Sequence, residues 1–131
     1  MTGHLLFPRI DPIYPVTFSK KIMIDVIRNL IGFKGVLISD DLSMNALTGA
    51  IDYRLNKALE AGCDIALHCN GNLEEMELIA KACPSMSNPV RNRIEILLKN
   101  ITRVSENRKF FDTELLRVAL NKGLKEYSNL I

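Results

Sequence analysis

The sequence has little that points to secretion, membranes or nucleic acid. Its three cysteines, Cys63, Cys69 and Cys83, are odd in number and form no C-x-x-C pair. That excludes a disulfide framework and argues against a cysteine-type zinc site. Buried free thiols in a reducing compartment are the simpler expectation. No apolar run approaches the roughly 18 residues that a membrane span needs. The opening "MTGHLLFPRIDP" has no basic stretch followed by an apolar one, so no secretory leader is read and a cytoplasmic protein is expected. Neither sign of charge dominates. Seventeen basic residues against fifteen acidic ones leave +2, too little to argue for nucleic acid or an anionic membrane surface. No P-loop, no G-x-G-x-x-G and no G-x-S-x-G occurs. Low-complexity tracts are absent too.

What is present is ordinary globular composition, 47% hydrophobic and 24% charged over 131 residues, which fits one domain with a real core. Residues 6–16 carry Pro8, Pro12 and Pro15, and three prolines in that span forbid a helix. Ser19 reads as the N-cap of a helix in which Ile22, Val26, Ile27 and Leu30 share a face, and Gly32 ends it. Gly35 opens an apolar strand, 35–39. A second helical stretch follows residue 44, breaks near Gly49 and resumes from Tyr53 to Ala61. Gly62 closes it, and Ile65-Ala66-Leu67 is a short apolar strand. Asn72 caps a helix to about Cys83 whose first turn holds Glu74 and Glu75, where the dipole favours acids. "PSMSNP" is a turn cluster, and helices over about 90–107 and 113–122 complete the chain. Apolar strands alternating with amphipathic helices argue a parallel sheet covered on both faces.

In such sheets ligands gather at the carboxyl ends of the strands. Three polar clusters would share that rim: Thr2-Gly3-His4, Ser39-Asp40-Asp41 and His68-Cys69-Asn70. A carboxylate ending an apolar strand is placed to meet a substrate, and capping of the next helix is the competing use for either aspartate. His4 and His68 have no i, i+4 partner for a metal face, so no metal site is read. Met23, Met44, Met76 and Met86 read as core fillers. The charges of "RNRIEILLKNITR" read as the solvated face of a helix.

"MTGH", "GFKGVLISDDLSM" and "ALEAGCDIALHCNG", in this order and spacing, resemble the C-terminal part of bacterial β-N-acetylglucosaminidases of glycoside hydrolase family 3, the NagZ type. "LFPRIDP" fits the same pattern. The resemblance is specific from Met1 to about Gly71 and looser beyond. It implies an α/β fold: about the last three βα units of a TIM barrel, with parallel strands, flanking helices and a helical tail. It implies retaining hydrolysis of terminal β-linked N-acetylglucosamine in peptidoglycan recycling, with no cofactor. Asp40 matches the family nucleophile, and Asp41 matches a second acid that supports the loop. His4 and Met44 match positions near the sugar pocket. The implied partner is a GlcNAc-containing muropeptide or a chitobiose-like substrate, not nucleic acid or a membrane.

The same resemblance exposes what is missing. The family's acid/base is a histidine paired with an aspartate on a loop of K-H-F-P-G-H-G type, and Lys-His never occurs here. A whole TIM barrel needs about 250 residues, and at least about 200. Residues 1–131 are therefore expected to be part of a family 3 N-terminal-type barrel domain, truncated at its N-terminus. Such a chain is expected to be inactive alone and marginally stable, because strand edges and an apolar face are left open. A separately encoded N-terminal piece is the partner it would need. Three other readings stand beside this one. The first is a non-enzymatic remnant, and the second a small α/β module that binds a sugar or anion. An aldolase-like Schiff-base barrel is the third, weakened because no lysine ends a predicted strand.

Overall fold

The computed structural model describes residues 1–106. The order is a 3-10 turn, Val16–Phe18, a π-helix, Ile22–Leu30, then β1, Ile38–Asp41, α1, Ile51–Ala61, β2, Ile65–Leu67, α2, Leu73–Ala82, and α3, Asn88–Glu106. The chain divides into two compact units, Met1–Leu97 and Leu98–Ile131. Of the second, the described residues are the last turns of α3. The helix expected over 113–122 lies outside the described residues. No described helix is long and apolar enough to cross a membrane.

β1 and β2 pair in parallel, with Ile38 opposite Ile65 and Asp41 opposite Leu67. Four residues of β1 therefore stand against three of β2, which makes a bulge. Ser39 closes it: its buried Oγ accepts from the Leu67 N–H at 2.9 Å, where a ladder carbonyl would otherwise stand. The sheet has two strands among the described residues, where the resemblance implies about three. Residues 1–4 contribute one backbone bond, from Thr2 N–H to the Ile38 carbonyl at 2.8 Å. Their side chains are drawn off the strand path toward the 3-10 turn, with Thr2 Oγ1 3.1 Å and His4 Nδ1 2.8 Å from Thr17 Oγ1.

β1 also starts three residues later than Gly35. The Arg28 guanidinium takes the carbonyls of Phe33 and Gly35 at 3.0 and 2.7 Å, and Asp64 Oδ2 takes the Leu37 N–H at 2.9 Å. Groups that would have laddered are held by side chains instead. The expected helical stretch after residue 44 is likewise a run of turns, and α1 begins at Ile51 rather than Tyr53. Arg54 explains it. Its guanidinium binds the carbonyls of Leu42, Met44 and Gly49, which a helix would have kept for itself.

The core is a single aliphatic cluster in which Met23, Leu42 and Leu55 are fully enclosed. α1 supplies Ile51, Leu55, Ala58 and Ala61, one face of a helix. At its end Gly62 adopts φ +121°, and a β-carbon there would sit 3.4 Å from Met23 Cβ, so both conformation and space favour glycine. Ser19 works as expected, accepting from the Ile22 N–H at 3.1 Å. The helix it opens is a π-helix, in which the Ile31 N–H reaches back five residues to Val26. Ile22 and Met23 are buried and Val26 and Ile27 pack on the core, but Leu30 at the end of the helix is 80% exposed.

Two further expectations change. Met23 fills the core, whereas Met44, Met76 and Met86 are exposed. α2, which carries Met76, buries none of its residues. Among the thiols, Cys63 is buried but Cys69 and Cys83 are exposed. Burial pushes the Cys63 thiol up to about 11. Asn72 caps α2 as its side chain suggests, accepting from the N–H groups of Glu74 and Glu75.

Candidate active site

Leu37, just before β1, and Ser39 within it are buried, while Ile38 and Asp40 between and after them are half-buried. The Asp40 carboxylate accepts one hydrogen bond through Oδ1, from the Asp41 N–H at 2.9 Å. Its second oxygen has no partner among the described residues. Asp41 is different. It accepts from the N–H and hydroxyl of Ser43 and, at 3.2 Å, from the Cys69 N–H. Burial opposes its ionised form, but the Ser43 and Cys69 bonds and the nearby His68 outweigh that and hold it below the usual carboxylate range. Two adjacent carboxylates thus have two jobs. Asp41 is consumed in fixing the loop after β1, and Asp40 is left with open coordination at the strand end.

The three rim clusters do come together. Thr2 bonds Ile38, the Leu42 N–H donates to the Leu67 carbonyl at 2.8 Å, and Asp41 reaches Cys69. His4 joins them. Its Nε2 donates to the Asp41 carbonyl at 2.9 Å, which leaves Nδ1 to accept from the Thr17 hydroxyl. Both ring nitrogens are therefore occupied inside the protein. Met44 lies on the turn after Asp41, 44% exposed, with its N–H 3.2 Å from the Asp41 carbonyl.

His68, at the end of β2, has a side chain only 7% exposed and pairs through Nε2 with Glu75 Oε2 at 2.7 Å. Its buried Nδ1 has no partner among the described residues. Asn70 also donates to Glu75. The His68 and Asn70 bonds lead in holding the Glu75 carboxyl below its ordinary value. The Cys69 thiol is raised, by partial burial first and then by Asp41 and Asp40. Among the described residues no group of three His, Cys, Asp or Glu side chains is arranged to hold a metal ion.

The sequence gives Arg54 and Asp64 no role and reads Glu75 only as a first-turn acid of α2. Arg54 braces the loop after Asp41, and Glu75 restrains His68. At the opposite ends of the strands, away from the rim, Asp64 gathers Arg28 and Arg93. An arginine on the polar side of a helix and an aspartate before a strand carry no spacing signal, so nothing in the pattern marked them.

Comparison with known proteins gives the family. Residues 1–104 match the Glycosyl hydrolase family 3 N terminal domain. A beta-hexosaminidase of Aromatoleum aromaticum is 39% identical over 99 residues, covering 74% of this chain and 28% of that protein. A beta-hexosaminidase of Nitrosomonas eutropha is 46% identical over 72 residues, covering 53% of this chain and 20% of that protein. The crystal structure of NagZ from Neisseria gonorrhoeae in complex with N-trifluoroacetyl-D-glucosamine aligns with a TM-score of 0.57 and 37% identity, over 67% of this chain and 26% of that one. The chain spans about a quarter of the length of the relatives it matches.

Proposed function

The chain belongs to glycosyl hydrolase family 3, and from that premise we propose that Asp40 is the nucleophile of a retaining β-N-acetylhexosaminidase site. The observation that carries this reading is the free oxygen of Asp40 at the end of β1, beside an Asp41 whose carboxylate is fully engaged. The chemistry is that of two successive displacements. Asp40 attacks the anomeric carbon as the bond to the leaving oxygen breaks, and that oxygen takes a proton from a general acid. Water then displaces Asp40 and gives a proton back to the same group. No cofactor enters. Asp41 supports the loop, His4 acts near the sugar by holding the Asp41 carbonyl, and Met44 lines the approach.

Among the described residues no free general acid stands beside Asp40. His4 has both nitrogens bound, and His68 is buried against Glu75. We therefore propose that the chain alone does not turn over, since such help is worth about 10²–10⁴-fold. A separately encoded N-terminal piece would supply the histidine–aspartate loop and the rest of the sugar contacts. β1, α1 and β2 then form consecutive units of a TIM barrel, and residues 1–131 form one part of a family 3 N-terminal-type domain. The names of the relatives and the sugar analogue held by NagZ support an N-acetylhexosamine substrate; our reading takes it as terminal β-linked N-acetylglucosamine, in muropeptides of cytoplasmic peptidoglycan recycling or in chitobiose-like glycans.

The test is release of aryl alcohol from an aryl N-acetylglucosaminide, first by the chain alone and then by the chain combined with the upstream three-quarters of a relative such as the Neisseria enzyme. The expected result is no release alone and Asp40-dependent release in combination. Asp40-dependent release by the chain alone would overturn the missing acid. Combined activity that survives Asp40→Asn would overturn the nucleophile.

A further inference from the structure

Residues 68–72 join β2 to α2, and side-chain bonds close them into a ring. Glu75 Oε2 takes His68 Nε2 at 2.7 Å and Asn70 Nδ2 at 2.8 Å. Asn70 Oδ1 accepts from the Asn72 N–H at 2.9 Å, and Asn72 Oδ1 accepts from the N–H groups of Glu74 and Glu75. The ring thus starts and ends on Glu75. Cys69 lies between the two side chains that Glu75 holds. Its N–H leaves the ring and donates to Asp41 Oδ1 at 3.2 Å. The Asp41 N–H in turn donates to Asp40 Oδ1 at 2.9 Å. A path of hydrogen bonds and single residues therefore runs from Glu75, on the first turn of α2, to Asp40 at the end of β1.

Helix stability does not explain this use of Glu75. Asn72 already caps α2, and Glu74 already places an acid in the first turn. The Glu74 carboxylate makes no hydrogen bond or ion pair among the described residues, whereas Glu75 gathers two donors on one oxygen. His68 adds a second sign. Its side chain is 7% exposed and its buried Nδ1 has no partner among the described residues. An empty buried polar atom opposes folding, so the bond from Nε2 to Glu75 is kept at a cost. Such local losses are typical of places where a site fixes geometry.

We propose that Glu75 is a positioning residue for Asp40: by holding His68 and Asn70 it sets the Cys69 N–H against Asp41, and so aims the Asp41 N–H at one Asp40 oxygen and leaves the other free to attack. A carboxylate held at one oxygen presents the other in a single direction, which a freely turning one does not. The catalytic meaning of this relay rests on Asp40 being the nucleophile. The relay from Glu75 to Asp41 does not.

Amide proton shifts of the full chain test the relay directly. Glu75→Gln keeps the size of the side chain and loses the charge that strengthens both bonds. The Cys69 and Asp41 amide protons are expected to move upfield in this variant, as their bonds lengthen. The Ile65 amide, which donates to the Leu37 carbonyl, stays in place. Glu75→Ala repeats the test with the acceptor removed, Glu74→Gln is the control that moves none of the three, and resonance dispersion reports the fold of each variant. In the combined enzyme, Glu75→Gln is expected to lower kcat about tenfold with KM changed less than about twofold. Adding it to Asp41→Asn lowers kcat no further, because both act through one path. Unmoved Cys69 and Asp41 amides, an equal loss of kcat in Glu74→Gln, or additive losses in the double variant would each overturn the relay. The Asp40→Asn assay is read separately. Its failure leaves the amide shifts standing, and unmoved amides leave the nucleophile standing.

Discussion

Asp64 and Asp40 stand at opposite ends of the same two strands. Asp64 precedes β2, and its side chain is 2% exposed. Its oxygens take Arg28 at 2.8 Å, the Leu37 N–H at 2.9 Å and the fork of Arg93. One carboxylate thereby ties the π-helix, the approach to β1 and α3 to a single point. Asp40, at the carboxyl end of β1, is half-buried and takes one backbone N–H. The same functional group is saturated at the amino ends of the strands and left open at the carboxyl ends. In parallel α/β folds the first end carries stability and the second carries chemistry. The contrast turns Asp40 from one acid among fifteen into a candidate with a reason.

The comparison can be broken in several ways. Asp40→Asn should cost the combined enzyme about 10³-fold or more in turnover, while moving the urea-unfolding free energy of the chain by no more than about 0.5 kcal/mol. A stability loss as large as the activity loss would make Asp40 a structural acid. Asp64→Ala should do the reverse. It strands two arginines and the Leu37 N–H, at a cost of about 3 kcal/mol, reduced from the value for full burial because both arginines keep some solvent. Ser39→Ala leaves the Leu67 N–H without its partner at the bulge and should cost about 1–2 kcal/mol. Asn72→Ala removes the α2 cap for about 1 kcal/mol, with protection lost locally in hydrogen exchange rather than across the sheet.

The smallest effect sharpens the division within the rim itself. Asp41 is held below its ordinary value of 3.8, so it binds protons less readily folded than unfolded. Its contribution is present above that value and is lost as pH falls through the lower, folded one. Unfolding free energy measured from pH 6 downward should decline as pH approaches and passes below about 4. Asp41→Asn should flatten part of that decline. A decline of unchanged size in the variant would contradict the role given to the Ser43 and Cys69 donors.

Much of this was legible in the residues. The Ser19 and Asn72 caps, the Gly32 and Gly62 stops and both strands follow from local chemistry, and "GVLISDDLSM" carried the family. What the pattern could not show depends on partners distant in sequence. Arg28 takes the Phe33 and Gly35 carbonyls and so delays β1. Arg54, on a helix that starts ten residues after β1 ends, takes the carbonyls of Leu42 and Met44, where a helix would have begun. Local periodicity contains no trace of an arginine arriving from another element. The adjacent aspartates were equally ambiguous as letters. Only the Ser43 and Cys69 donors separate them.

The most direct test is to quench the combined enzyme during turnover of a slow aryl N-acetylglucosaminide and to sequence the Asp40-bearing peptide by mass spectrometry. The account predicts an N-acetylhexosamine adduct on Asp40, lost in Asp40→Asn. An adduct on Asp41 or another residue, or a product with inverted anomeric configuration and no adduct, would contradict it.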